Sequence, residues 1–172
     1  MEIRPLREAD DRSRFQSGNP DLDRFFRLFA GQNQFRHHIG VTYVAVAGNR
    51  ILGFATIAAG HIEIEDQPAS ARKKLPRYPL PIVRLARLAV DDSAQGQGVG
   101  AQLLRFVLKL AIRMATDFGC IGVMVDAKRD AIAFYEKYGF IRTDAVEGQS
   151  DARPQPVTMF LALREIEEGV SG

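Results

Sequence analysis

The chain has 172 residues, 46% of them apolar and 26% charged, which suits one globular domain (1–172) and excludes extended disorder. No apolar run approaches the ~20 residues that span a bilayer, the charged start MEIRPLREADDRSR does not read as a signal or transit peptide, and a single cysteine, Cys120, excludes an internal disulfide framework and a multi-Cys zinc site. A cytoplasmic protein without metal or membrane is expected. Its net charge is only +2, but Arg72, Lys73, Lys74, Arg77, Arg84 and Arg87 crowd into 71–87 with no acid among them, while Glu165, Glu167 and Glu168 form a short acidic tail from about 165.

Along the chain, residues 1–5 read as a short edge strand. Asn19-Pro20-Asp21 then starts a helix, with a capping side chain, proline in the first turn and acids near the positive end. Leu22, Phe25, Phe26, Phe29 and Ala30 follow the i, i+3, i+4, i+7, i+8 spacing of one apolar face, and are assigned to the core. Residues 41–47 and 51–64 are strands separated by the turn signal Gly48-Asn49, and Gly53 and Gly60 predict a bend or bulge in the second. Four prolines make 67–81 a loop.

A strand over 83–90 leads into glycine-rich 91–100 and then into a helix whose apolar residues are Leu103, Leu104, Val107, Leu108, Ala111, Met114, Ala115 and Phe118, ended by Gly119. A strand over 121–125, a helix over 128–138 and a strand over 157–163 complete the chain. This order indicates an α/β or α+β layered domain.

The segment Leu88–Leu104, LAVDDSAQGQGVGAQLL, passes from strand through glycines 96, 98 and 100 into an amphipathic helix. Such a loop exposes backbone N–H groups at a helix N-terminus and makes a phosphate or pyrophosphate site. A P-loop would need Gly-Lys-Ser/Thr at its end, but Ala101 and Gln102 follow Gly100. A dinucleotide loop would need G-x-G-x-x-G early in the chain. Neither fits.

Gln95-Gly96-Gln97-Gly98-Val99-Gly100 instead resembles the Gln/Arg-x-x-Gly-x-Gly/Ala loop of the GCN5-related N-acetyltransferase (GNAT) superfamily. Leu88-Ala89-Val90-Asp91 before it, and Ala131-Ile132-Ala133-Phe134-Tyr135-Glu136-Lys137-Tyr138-Gly139-Phe140 after it, are similar to two further segments of that family. A finer resemblance is to the acetyltransferase toxins of bacterial toxin–antitoxin pairs. It rests on residues 15–25 (FQSGNPDLDRF), on the hairpin at 42–44 and 51–54, and on 84–90 (RLARLAV), where Ala86 stands in place of a common glycine.

The resemblance implies a GNAT fold, with a central mixed, mostly antiparallel sheet flanked by helices. It implies acetyl-CoA as cosubstrate, with its pyrophosphate on Gln95, Gly96, Gln97, Gly98, Val99 and Gly100 and its pantetheine arm along Leu88, Ala89 and Val90. One backbone N–H of that strand would hold the thioester oxygen. Tyr135 would protonate the departing thiolate, as a phenol with pKa near 10 can at neutral pH; the competing role is packing on the pantetheine. Tyr138 is assigned to structure. Such toxins acetylate the α-amine of aminoacyl-tRNA, pair with a small DNA-binding antitoxin of ribbon–helix–helix type, and commonly form homodimers.

The basic residues Arg72, Lys73, Lys74, Arg77, Arg84 and Arg87 are then candidates for tRNA contact, against a solvated loop as the alternative. Two other functions remain open on the same scaffold: acetylation of small molecules or proteins, and a non-catalytic CoA-binding regulatory module. No residue declares itself a general base, which favours an α-amine over a lysine side chain. His37 and His38 are read as a surface pair, His61 as core or cleft, Cys120 as an inert core thiol, and Asp126 and Asp130 as capping or turn residues.

Overall fold

The computed structural model describes residues 1–63, 79–143 and 156–171. Seven strands pair in the order β1-β2-β3-β4-β5-β7-β6: β1 (Glu2–Pro5), β2 (Val41–Ala47), β3 (Arg50–Ile62), β4 (Leu80–Val90), β5 (Gly122–Ala127), β6 (Ile141–Arg142) and β7 (Val157–Ala162). The sheet is open and mostly antiparallel. The α-helices are α1 (Pro20–Arg24), α2 (Ala30–Gln32), α3 (Val99–Asp117), α4 (Ile132–Lys137) and α5 (Leu163–Ser171). This is the expected mixed α/β order, with β6 and α5 added. The predicted loop at 67–81 lies largely outside the described residues.

The chain divides into two compact units, one of Met1–Ala58 with Leu85–Leu108, the other of Ala59–Arg84 with Lys109–Gly172. In the first, β1 is an edge strand on β2, and β2 turns into β3 through Gly48-Asn49. The register moves from Ala45↔Gly53 to Val46↔Ile51, so Leu52 is the extra residue of a bulge. Gly53 beside it is required by packing. A Cβ there would stand 2.9 Å from Leu103 Cδ1, 3.0 Å from the Ala89 carbonyl oxygen and 3.1 Å from Val99 Cγ1. Glycine therefore lets the first turns of α3 press against β3, which seats the loop ahead of α3.

Asn19 caps α1 as expected, its side-chain oxygen accepting the Leu22 N–H at 3.2 Å. The phenylalanine face does not continue as an α-helix. Phe25–Phe29 is a π-turn in which the Ala30 N–H donates to the Phe25 carbonyl. The extra residue per turn places Ala30, not Phe29, above Phe25. Phe25, Phe26 and Ala30 are buried, and Phe29 is 36% exposed. The assignment of Phe29 to the core is thus corrected. Phe26 stacks on Phe54 at 4.4 Å, Phe15 packs edge-on against both, and Leu6, Val44, Val46, Ile51 and Ala89 complete this core.

In the second unit β7 pairs antiparallel with β5 and with the two-residue β6, over a core of Ile62, Leu80, Ile82, Met124 and Phe160. The acidic tail is a helix: α5 begins at Leu163, and Ile166 is only 2% exposed. The neighbouring glutamates hide the apolar character of Ile166 in the sequence. In α3, Leu103, Leu104, Val107, Leu108 and Ala111 are buried as predicted, but Phe118 is 76% exposed. It lies past the last helical residue, Asp117, in the turn where the Phe118 and Gly119 N–H groups both close on the Met114 carbonyl. The helical face ends before it.

Candidate functional site

The glycine loop belongs to the first unit. Strand β4 ends at Val90, a single 3-10 turn covers Asp92–Ala94, and Gly96 and Gly98 follow with φ of +78° and +81°. Glycine adopts that region at little cost where other residues are strained. Nothing stands within 4 Å of where a Cβ would be at either position. Gly100 is already inside α3, and Val99 is a buried anchor at its start. The Gln102 N–H donates to the Gly98 carbonyl, so the amides of residues 99–101 have no partner within the helix. Free first-turn amides, an open glycine backbone and the positive helix end together fit a pyrophosphate.

Side chains hold this loop from behind. Asp91, 9% exposed, accepts the Gln16 N–H at 2.9 Å through one oxygen. Through the other it accepts the Ser93 N–H at 3.1 Å and the Ser93 hydroxyl at 2.6 Å, with Arg50 at 3.9 Å. The Asp92 N–H donates to the Gln16 carbonyl at 2.8 Å. The Gln95 amide donates to the carbonyls of Ser17 (2.8 Å) and Val90 (3.1 Å) and to Asp92 (3.2 Å). Burial alone would push the Asp91 carboxyl up, but the Ser93 and Gln16 donors and the Arg50 charge outweigh it and hold it below the usual carboxylate range. Sequence reading missed Asp91 and Gln16; the Asp-x-Ser spacing at 91–93 was the available signal for the turn. A cavity of about 880 Å³ has Asp91, Arg50 and Arg14 in its wall but none of residues 95–100.

Leu88 and Val90 are half-buried on β4, and Ala89 between them is buried among the first unit's phenylalanines. The Asp91 N–H donates to the carbonyl of the bulged Leu52 at 2.8 Å, which ties the end of β4 to β3.

Tyr135 belongs to the second unit, on α4. It is 5% exposed and packs edge-on against Phe134 (5.1 Å) and Phe140 (5.4 Å). Burial pushes its phenol well above the ordinary value, so it stays protonated at neutral pH. Among the described residues its hydroxyl has no hydrogen-bond partner, and buried polar groups without a partner are few in folded proteins. Tyr138 is half-buried against Phe134, consistent with a structural role.

The basic candidates separate. Arg72, Lys73, Lys74 and Arg77 lie outside the described residues. Arg84 pairs with Asp126 at 3.2 Å, whereas Arg87, half-buried, lies 3.7 Å from the centre of the Phe25 ring and is desolvated there. Asp126 is not a cap or turn residue: it lies inside β5, bound by Arg84 and by the Thr158 hydroxyl at 3.0 Å. His37, His38 and His61 are all exposed. Cys120 is buried, and desolvation raises its thiol pKa. Among the described residues no group of three or more His, Cys, Asp or Glu could hold a metal ion, and no helix is long and apolar enough to cross a membrane.

Residues 38–142 match the acetyltransferase (GNAT) domain. The chain belongs to the GNAT family. It is 35% identical to a tRNA-acetylating toxin of Mycobacterium tuberculosis over 138 residues, 80% of this chain and 82% of that one. A structure of AtaT complexed with acetyl-methionyl-tRNAfMet is 28% identical, with a TM-score of 0.83 and 98% of each chain covered. A tyrosine-to-phenylalanine mutant of the AtaT toxin, bound to acetyl-CoA and the C-terminus of the antitoxin AtaR, is 25% identical with a TM-score of 0.77, covering 99% of this chain and 98% of that one. This GNAT protein is an N-acetyltransferase that uses acetyl-CoA.

Proposed function

We propose that this acetyltransferase is a toxin that transfers the acetyl group of acetyl-CoA to the α-amine of an aminoacyl-tRNA and so blocks translation. Its identity to the tRNA-acetylating toxin supports the substrate class. The observation that carries the chemistry is the Tyr135 hydroxyl, buried and without a partner among the described residues.

The pyrophosphate of acetyl-CoA lies on Gln95, Gly96, Gln97, Gly98, Val99 and Gly100, and the pantetheine arm follows Leu88, Ala89 and Val90. The amine lone pair attacks the thioester carbonyl carbon while a β4 amide stabilises the oxygen. As the C–N bond forms the C–S bond breaks, and the leaving thiolate takes the Tyr135 proton. The amine's surplus proton passes to solvent, from which the tyrosinate is reprotonated, so amine and thioester become amide and thiol. A general base is unnecessary because an α-amine has a pKa of roughly 8 and is partly neutral in the cell.

The basic stretch from Arg72 through Lys73, Lys74 and Arg77 to Arg84 and Arg87 contacts phosphates of the tRNA. Residues 1–172 act as one catalytic domain in the cytoplasm, as a homodimer neutralised by a ribbon–helix–helix antitoxin. AtaT bound to the C-terminus of AtaR supports an antitoxin partner. The test is mass spectrometry of total aminoacylated tRNA after incubation with acetyl-CoA and either the wild type or Tyr135→Phe. N-acetyl aminoacyl-tRNA from the wild type alone is expected. No product from either, with acetyl-CoA still bound, would overturn the tRNA reading and direct the search to small amines and protein N-termini.

A further inference from the structure

The loop that receives the cofactor is exposed, contains two glycines at positive φ, and has nothing packed where their side chains would be. Ala94 and Val99 are buried at its two ends, but between them van der Waals contact does not set its shape, and glycine-rich backbone left to itself samples many conformations. Its restraint comes from a segment 75 to 78 residues earlier in the chain. Gln16 donates its N–H to the Asp91 carboxylate and accepts the Asp92 N–H on its carbonyl, and the Ser17 carbonyl accepts from the Gln95 side-chain amide. The Gln95 side chain has two N–H donors facing three acceptors, so it is committed inward. Gly18 continues the contact, since a Cβ there would lie 3.5 Å from Asp92 Oδ1.

The segment is itself held firmly. The Ser17 N–H and hydroxyl both donate to Asp23, at 2.9 and 2.6 Å, and Asp23 is buried in α1. A continuous hydrogen-bonded path thus runs from the start of α1 through Ser17 to the glycine loop.

We infer that Gln16 and Ser17 form a mould for the cofactor loop, and that Asp91 and Gln95 are positioning residues that fasten the loop to it. This rests on the reading that residues 95–100 hold acetyl-CoA. Because coupling between sites is reciprocal, binding at the loop tightens the Gln16–Asp92 pair and the start of α1. The individual bonds are partly exposed and of modest strength, so each residue acts on affinity by several-fold, not by orders of magnitude.

The test compares acetyl-CoA affinity by calorimetry, kcat, and amide hydrogen exchange in the wild type, Gln95→Met, Asp91→Ala and Gly98→Ala. Gln95→Met keeps length and neutrality and removes the donors; it is expected to weaken acetyl-CoA binding about fivefold with kcat within about twofold. Asp91→Ala is expected to weaken it about tenfold. Removing a negative charge would by itself favour an anionic ligand, so a loss carries the sign of lost positioning. In the wild type acetyl-CoA should slow exchange at the Gln16 and Asp92 amides, and both variants should lose that response. Wild-type affinity in both variants, or a fall in kcat at unchanged affinity, would overturn the inference. Gly98→Ala separates the two readings. If it weakens binding while Gln95→Met and Asp91→Ala do not, the mould fails and the loop stands. If it too leaves affinity unchanged, the loop reading fails and takes the mould with it.

Discussion

The glycine loop after β4 and the tyrosine on α4 meet opposite physical demands. In the proposed reading the loop presents N–H donors to an anion; its backbone is open, its glycines bear no packing, and polar side chains hold it from behind. The proposed acid has to remain neutral and aimed, and Tyr135 is enclosed by Phe134 and Phe140 with its hydroxyl left without a partner among the described residues. Exposure with hydrogen-bonded restraint suits charge recognition; burial with aromatic restraint suits proton donation. The two regions should therefore fail differently when altered.

The largest expected effect is at the tyrosine. Tyr135→Phe should lower kcat by about 10²-fold or more and leave acetyl-CoA affinity unchanged, measured by steady-state rates beside calorimetry; equal loss of affinity would mean the ring is there for packing. Next comes the loop. Gly98→Ala forces a side chain onto a φ of +81°, worth about tenfold in affinity, with kcat at saturation little changed. Smaller still is the basic stretch: Lys73→Glu with Lys74→Glu should weaken tRNA acetylation several-fold and flatten its salt dependence, with acetyl-CoA binding intact. Activity insensitive to salt in the wild type would count against tRNA contact by these residues.

The smallest effects are in pH, and they sharpen the contrast. Burial raises the Tyr135 pKa above its ordinary 10.0, so kcat should hold its plateau through pH 10, where an ordinary phenol would be half-ionised. Asp91 moves the other way. Its carboxyl is lowered from 3.8, so its tie to Gln16 is complete above that ordinary value and is lost as pH falls below it toward the lowered one. Protection of the Gln16 amide, taken relative to the intrinsic exchange rate at each pH, should fall across that acidic interval, and Asp91→Asn should remove the dependence.

Much of this was legible in one dimension because it depends on local periodicity and turn chemistry. The Asn19 cap, the β2–β3 hairpin and the buried stripe of Leu103, Leu104, Val107 and Ala111 follow from spacing alone. A local rule fails past the residue that breaks it. A π-turn rotates Phe29 off the α-helical face that its spacing predicts, and Phe118 lies beyond the helix end at Asp117. Charge also misled: the glutamates of α5 hid Ile166, whose burial needs a neighbour that no local pattern names.

The amino-acid sequence by itself determined most of the order of elements, the position of the glycine loop and the tyrosine's place in its motif, because these are properties of short stretches of chain. Only the tertiary structure decided that Gln16 and Ser17 back the loop, that Gln95 faces inward, that Arg84 is matched by Asp126 while Arg87 lies on Phe25, and that the Tyr135 hydroxyl is buried. Each of these joins residues distant along the chain or depends on solvent exclusion, and both arise only when the chain packs on itself.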